Sequence, residues 1–149
     1  MDAQAQLDGF IDKYEPGVAT DARRALNLLE ARLPAARHLV YDNYNALVIA
    51  FGTSEKARDI ILSIALYPRY VTLFFLNGVG LSDPHGLLEG SGSQVRGVRL
   101  QPISRLEAPE VGALIDAAVA AASPLPASGE QRLIIKSISA KQRPRRPKS

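Results

Sequence analysis

The hydrophobic residues near the start of the chain recur with the spacing of a helix. They fall at positions i, i+3, i+4 and i+7: Leu7, Phe10, Ile11 and Tyr14. This spacing places them on one face and predicts a helix over residues 3–14, ended by Pro16 and Gly17. A second helix is predicted from Thr20, whose hydroxyl can cap the first turn, to the residue before Pro34. Each helix has a single apolar face, which favours packing against one side of a sheet.

From His38 onward the spacing of the apolar residues changes to that of strands. Short stretches rich in β-branched and aromatic residues predict strands over residues 38–42, 46–51, 59–66, 69–76 and 95–100. The Tyr67-Pro68-Arg69 link is too short for a helical crossover, which favours a hairpin. Pro109 suits the first position of a last helix. This order predicts an α+β fold, with an antiparallel sheet of five to six strands and two N-terminal helices and one C-terminal helix packed on one face.

The positive charge of the chain is concentrated at its C-terminal end. Residues 141–149 hold five of the 18 Lys and Arg residues and no acid, which leaves 13 cations against 15 acids elsewhere. We predict an α+β domain over residues 1–122, followed over 123–149 by a linker, a short strand and a disordered basic tail. Because the net positive charge belongs to the tail, we expect no nucleic-acid partner.

The composition excludes some classes of protein. The chain has no cysteine, so it forms no disulfide and has no thiolate nucleophile or thiolate metal site. It has no apolar run of about 18 residues and no signal-peptide layout at its N-terminus. We therefore expect a soluble, cytoplasmic protein without a membrane partner.

A glycine-rich loop over residues 82–99 is the candidate ligand site. The Gly90-Ser91-Gly92-Ser93 stretch offers backbone N–H groups that form a suitable nest for an anion. Arg96 and Arg99 could add charge-assisted bonds to a phosphate or carboxylate. We predict that the loop holds a small anionic ligand or, weakly, a metal through six side chains: Asp83, His85, Ser91, Ser93, Arg96 and Arg99. The alternative is a structural loop whose glycines serve the backbone alone.

A catalytic role for this loop would need a base in contact with a nucleophile. His85 could be the base, with Asp83 or Glu89 beside it. The chain lacks the Gly-x-Ser-x-Gly elbow, and its glycines match neither a Walker loop nor a dinucleotide fingerprint. We therefore assign no catalytic residue and predict a non-enzymatic binding module.

The same loop carries a family resemblance. Residues 81–92 read Leu-Ser-Asp-Pro-His-Gly-Leu-Leu-Glu-Gly-Ser-Gly and are followed by Arg96 and the predicted strand 97–100. This string resembles the YdhG-like family of small bacterial domains (domain of unknown function 1801), and the resemblance spans roughly residues 4–122. It implies an α+β fold. Some members are described as frataxin-like iron chaperones, which present acidic residues of a terminal helix and first strand to iron.

Three acids of the first predicted helix supply an alternative function. Asp8, Asp12 and Glu15 fall at helical spacing on one face, and carboxylates are ligands for hard cations. Under the family resemblance they would be the metal site of an iron chaperone, with iron as the cofactor. The other interpretation of this cluster is a solvated helix face.

A third function is that of a protein-interaction domain, which would dock through its open sheet face or its tail. The Leu133–Ile138 segment could add to the sheet edge of a second copy and so form a homodimer. Four tyrosines cluster about the predicted strands and could either line a pocket or pack on the sheet: Tyr41, Tyr44, Tyr67 and Tyr70.

Overall fold

The computed structural model of the chain describes residues 2–122, 124–125 and 132–148. Three helices have the bounds α1 Ala3–Asp12, α2 Pro16–Arg32 and α3 Pro109–Ala121. Six strands have the bounds β1 Arg37–Asp42, β2 Leu47–Gly52, β3 Ile60–Leu66, β4 Val71–Phe75, β5 Arg96–Arg99 and β6 Leu133–Ile138. None of the helices in these ranges is both long and apolar enough to cross a membrane.

The six strands form one sheet in the order β5-β4-β3-β2-β1-β6. The predicted α+β class is confirmed, and so is the hairpin between β3 and β4, in which Leu66 pairs with Val71. The sheet is antiparallel as predicted except at one edge, where β6 runs parallel to β1. The physical reason is the connection, since the chain leaves β5 at one edge of the sheet and returns through α3 to the opposite edge.

Helix boundaries follow from proline and from capping. Asp2 precedes α1, and its side chain accepts a hydrogen bond from the backbone N–H of Ala5 at 2.8 Å. The second helix begins at Pro16 rather than near Thr20, since a proline in the first helical turn loses no hydrogen bond there. The predicted start of the last helix at Pro109 is confirmed.

The sheet packs all three helices against one of its faces. The central core combines apolar side chains of these helices with the large residues of one sheet face: Leu47, Ile49, Phe51, Leu62, Ile64, Leu66, Leu73 and Phe75. The opposite face carries smaller residues such as Ala50 and Ala65, which are buried but lie outside that core. In the described part of the chain, this second face has no helix over it.

Tyr14 joins the end of α1 to the end of the sheet. Its buried hydroxyl donates a hydrogen bond to the backbone oxygen of Leu66 at 2.9 Å and accepts one from the backbone N–H of Leu47 at 3.1 Å. The two backbone groups belong to neighbouring strands, β2 and β3. The phenol therefore satisfies polar groups that would otherwise be buried without partners.

The basic C-terminal segment differs from the predicted disordered tail. The structure describes it through Lys148 and holds it against the end of β1, where the N–H of Ser139 donates to the oxygen of Asp42 at 2.8 Å. Arg145 donates to the Asp42 carboxylate at 2.8 Å and to the backbone oxygen of Asn43 at 2.7 Å. Both charged side chains of this pair are buried, at 5% and 1% exposure. A buried carboxylate needs a compensating group, and Arg145 of this segment is that group for Asp42. The predicted linker at 123–129 lies outside the described residues except for 124–125.

Candidate functional site

The Asp83 side chain binds the backbone of the predicted ligand loop. Its two carboxylate oxygens accept hydrogen bonds from the backbone N–H groups of Leu87, at 2.9 Å, and Leu88, at 2.8 Å. Gly86, which directly precedes Leu87, has a φ of 63°, a conformation that favours glycine. The Asp83 side chain therefore stabilises a turn, as aspartates in such positions commonly do.

Arg96 is also engaged within the loop. One guanidinium nitrogen donates to the backbone oxygens of Gly92, at 2.6 Å, and Val95, at 2.8 Å. The side chain also lies against Gly90, which has a φ of 141°. The arginine therefore closes the glycine-rich turn, and its charge faces carbonyl groups of the same loop.

The other loop candidates do not converge on one site. His85 is exposed and lines a cavity of about 390 Å³ between the loop and α3, together with Asp83 and Glu110. Ser91 and Ser93 are exposed. Arg99 lies on the helix-free face of the sheet, where its backbone pairs with that of Thr72. The fold thus separates the histidine and the second arginine onto different sides of the sheet.

The three acids of the predicted metal site are engaged separately. Asp12 pairs with Arg23 at 2.9 Å, and Glu15 lies 3.9 Å from Arg146. Asp8 accepts a hydrogen bond from Gln4 at 3.1 Å. Within the described ranges, no group of three or more His, Asp or Glu side chains could hold a metal ion. The first helix ends at Asp12 and Glu15 is the residue before α2, so the predicted single helix face for the three acids does not form.

The helix-free sheet face contains an aromatic cavity with an arginine at its edge. We call it the Tyr–Arg cavity, and it has a volume of about 240 Å³. Its lining is Tyr67, Tyr70, Thr72, Phe74, Glu89, Gly90, Gly97 and Arg99. The guanidinium carbon of Arg99 lies 3.8 Å from the Tyr70 ring centroid, and the Tyr67 and Tyr70 rings are 5.3 Å apart. Stacking of this kind holds an arginine in place without neutralising its charge.

Two glycines shape the walls of the Tyr–Arg cavity. A Cβ atom on Gly97 would lie 2.8 Å from Cδ1 of Phe74, so the absence of a side chain lets the phenyl ring lie over β5. The backbone of Gly97 exchanges two hydrogen bonds of 2.9 Å with that of Glu89. This pairing brings Gly90 and the end of the glycine-rich loop to the rim of the cavity.

The polar groups of the Tyr–Arg cavity suit an anion. Arg99 is exposed, and no carboxylate in the described part of the chain pairs with it. Burial raises the pKa of Tyr67 above its ordinary value of 10.0, with a further contribution from Tyr70. The Tyr67 phenol is therefore protonated at neutral pH and can donate a hydrogen bond.

A second polar cavity lies between α1, α2 and the sheet, and sequence reasoning assigned it no role. It has a volume of about 280 Å³ and is lined in part by Asp8, Arg23, Glu30 and His38. Nδ1 of His38 lies 4.0 Å from Oε1 of Glu30. Burial lowers the pKa of His38 and raises that of Glu30. The histidine is neutral at neutral pH, so the contact is not an ion pair under those conditions.

Comparison of the chain with protein-family models, with curated proteins and with solved structures gave no match. The resemblance of residues 81–92 to the YdhG-like family stays a prediction, as does the iron-chaperone function that it implies.

Proposed function

We propose that the protein is a non-enzymatic binding module for a small anionic ligand with a flat ring, held in the Tyr–Arg cavity. The observation that carries the proposal is the stacking of Arg99 on Tyr70 beside an open cavity, where no carboxylate of the described residues, including Glu89 of the lining, forms an ion pair with the guanidinium. Ligand sites combine apolar walls with a few polar groups that define orientation. The Tyr–Arg cavity has this composition.

Different side chains of the cavity would contact the anionic group and the flat ring of the ligand. Arg99 presents several N–H donors in one plane, which match the oxygens of a phosphate or carboxylate. Tyr67 and Phe74 present ring surface against which a flat group can pack. A volume of about 240 Å³ is smaller than the pockets that hold drug-sized ligands, so it suits a small ligand such as a single base or an aromatic acid.

Binding rather than catalysis is proposed because of the nature of the central charged group. An arginine guanidinium keeps its proton under all ordinary conditions, so it holds an anion but does not transfer a proton. The histidines lie elsewhere, with His85 beside α3 and His38 on the opposite face of the sheet. The cavity therefore offers a ligand a permanent positive charge and an aromatic surface on which to stack, and both contribute to binding.

The proposal is tested by thermal shift and calorimetry with inorganic phosphate, nucleoside monophosphates and aromatic carboxylates. A ligand at 100 times its Kd should add about 2.7 kcal/mol to the free energy of unfolding. The shift should disappear in Arg99→Ala and persist in Arg58→Ala, which removes an exposed arginine that lines a different cavity. Tyr70→Phe should retain binding and Tyr70→Ala should weaken it.

Two results would contradict the proposal. One is the absence of a shift with any of these anions, and the other is a shift that Arg99→Ala and Arg58→Ala leave equally intact. Fe²⁺ belongs in the same screen, because an iron carrier should bind the metal independently of Arg99. Its binding should then be lost in a variant that combines Asp8→Asn, Asp12→Asn and Glu15→Gln.

A further inference from the structure

We infer that the Tyr–Arg cavity is one end of a longer binding track, and that the track takes a single-stranded nucleic acid. This inference rests on the proposed function, since the cavity would hold one base and its phosphate. It extends that function by naming the class of ligand and by adding a second stretch of surface.

The second stretch is a groove of about 540 Å³, called here the basic groove. It is lined by Asn45, Tyr67, Pro68, Arg69, Arg143, Pro144, Arg146, Pro147 and Lys148. Tyr67 lines the basic groove and the Tyr–Arg cavity alike. The two spaces therefore adjoin at this tyrosine, at the end of the sheet where the β3–β4 hairpin turns.

The charge along the track is strongly positive. Its lining residues include five cations: Arg69, Arg99, Arg143, Arg146 and Lys148. Glu89 is the acid among the lining residues of the two spaces, and Glu15 approaches Arg146 at 3.9 Å. Among the described residues, no carboxylate pairs with the other four cations. A row of such cations complements a phosphate backbone.

Two of these cations lie against aromatic rings. Arg99 stacks on Tyr70 at one end, and the guanidinium of Arg143 lies 5.5 Å from the Tyr44 ring centroid near the other. Tyr44 is 49% exposed, which leaves its ring accessible to a ligand. Rings beside a basic groove are the usual platform for unpaired bases, and stacking requires that the bases are not paired within a duplex.

The fold holds the cations of the C-terminal segment in position. The backbone N–H of Arg143 donates to the oxygen of Tyr44 at 2.8 Å, and the buried pair of Arg145 and Asp42 anchors the next turn of the chain. The sequence predicted no nucleic-acid partner because the net positive charge belongs to the tail, which lies far along the chain from Tyr67 and Tyr70. The tertiary structure brings the two sets together, and this juxtaposition is the basis of the inference.

The experiment measures fluorescence anisotropy of labelled short oligonucleotides with the full-length protein. The probes are single-stranded RNA, single-stranded DNA of the same sequence and the DNA annealed into a duplex, with heparin as a competitor. We expect a single strand to bind more tightly than the duplex. Log affinity should fall linearly with log salt concentration.

Variants separate stacking from charge. Tyr67→Ala should weaken single-strand binding roughly 5- to 150-fold, the loss of one stacked base, while Tyr67→Phe should preserve the stacking. The pair Arg143→Ala and Lys148→Ala should weaken binding to every single strand and reduce the salt slope by about two. The matched control is Lys56→Ala with Arg58→Ala, which removes two exposed cations outside the track. Equal melting temperatures show that each variant is folded.

The outcomes are distinguishable from those of the proposed function. Tighter binding of either RNA or DNA single strands, with loss in Tyr67→Ala, supports the inference and identifies the nucleic acid. Equal binding of single strand, duplex and heparin that is insensitive to Tyr67→Ala overturns it in favour of unspecific charge attraction. Arg99-dependent binding of small anions without oligonucleotide binding overturns the inference alone. Absence of both overturns the inference and the proposed function together.

Discussion

Arg145 and Asp42 form a charged pair that water scarcely reaches. Their side chains are 5% and 1% exposed and are joined by a hydrogen bond of 2.8 Å. The second carboxylate oxygen of Asp42 has Lys13 at 3.6 Å. Removal of one member of such a pair leaves an uncompensated charge inside the protein, which costs much more than the pair contributes in net terms.

We predict that Arg145→Met lowers the free energy of unfolding by about 3–5 kcal/mol, because Asp42 loses its main counter-charge. Urea unfolding measures the change. The matched control is Arg146→Ala, which removes the neighbouring exposed arginine and its 3.9 Å contact with Glu15. That change should stay within about 1 kcal/mol. A loss below about 1 kcal/mol in Arg145→Met would contradict the structural role of the pair.

His38 and Glu30 make stability depend on pH with opposite signs. Burial lowers the pKa of His38 below its ordinary value of 6.5 and raises that of Glu30 above its ordinary value of 4.5. Below pH 6.5 the unfolded chain binds a proton that folded His38 resists, so the histidine makes stability fall as pH falls. Glu30 holds its proton more tightly when folded, so stability due to Glu30 rises as pH falls through its folded pKa toward 4.5.

We predict that His38→Gln reduces the loss of stability between about pH 7 and pH 5, because glutamine takes up no proton in the unfolded state. The measurement is urea unfolding of wild type and variant at both pH values. The change in the free energy of unfolding between the two pH values is then compared between the two proteins. Glu30→Gln serves as the opposite control and should make the acid loss steeper. An identical pH dependence in wild type and His38→Gln would show that His38 titrates equally in both states.

Among the elements, the short turn at Gly78–Gly80, which precedes the glycine-rich loop, depends on close packing of its backbone against β5. A Cβ atom on Gly78 would lie 2.5 Å from Cβ and 2.8 Å from the backbone nitrogen of Arg96. Gly80, two residues further along the same turn, has no atom within 4 Å of such a Cβ. A side chain is therefore excluded by contact with Arg96 at Gly78 but not at Gly80, although the two glycines look equivalent in the sequence.

We predict that Gly78→Ala destabilises the protein by about 1–3 kcal/mol, because β5 must shift to admit the methyl group. Gly80→Ala should be neutral or stabilising by less than about 1 kcal/mol, since alanine restricts the unfolded chain. Thermal unfolding of both variants checks the prediction, and amide exchange of 96–99 locates the change. Equal effects of the two substitutions would contradict the close approach at Gly78.

At the level of the complete fold, the C-terminal segment is a structural part of the domain. It contributes β6, which pairs with β1 at the sheet edge, and it contributes Arg145, which compensates Asp42. The cations of the proposed track are attached to the same segment. Deletion of this segment is therefore unsuitable as a test of nucleic-acid binding, because it removes the fold and the site together.

We predict that deletion of residues 132–149 lowers the free energy of unfolding by at least the roughly 3–5 kcal/mol expected for Arg145→Met, since it also exposes the edge of β1. Circular dichroism during thermal unfolding measures the loss. Deletion of 146–149 alone keeps β6 and Arg145 and should leave the melting temperature nearly unchanged. A protein that lacks 132–149 and melts with the wild type would show that β6 and Arg145 contribute little.

Local patterns predicted most of the secondary structure. The apolar spacing of Leu7 and Ile11 identified α1, and Pro109 marked the first residue of α3, because these signals act within one or two helical turns. The start of α2 was placed too late at Thr20, since proline was interpreted as a stop signal only. A proline can end one helix or begin the next, and the residues that follow it decide which occurs.

Part of the candidate site was visible in the sequence and part was not. Arg99 and the strand tyrosines were identified as candidates, and the structure places Arg99, Tyr67 and Tyr70 in one cavity. Asp83 and Arg96 carried the same chemical signal, but their side chains bond to the loop backbone. Residue type does not distinguish a ligand-binding side chain from one that stabilises its own loop, because both use the same donors and acceptors.

The chain pattern alone specified helices, strands, the β3–β4 hairpin and the one-sided packing of an α+β domain, since each depends on residues near in sequence. Tertiary structure alone decided the parallel pairing of β6, the burial of Arg145 against Asp42 and the meeting of the tail cations with Tyr67. These features join residues that are far apart in the chain. Arg145 gives the buried Asp42 carboxylate a counter-charge and β6 pairs with the open edge of β1, and no local sequence pattern records either contact.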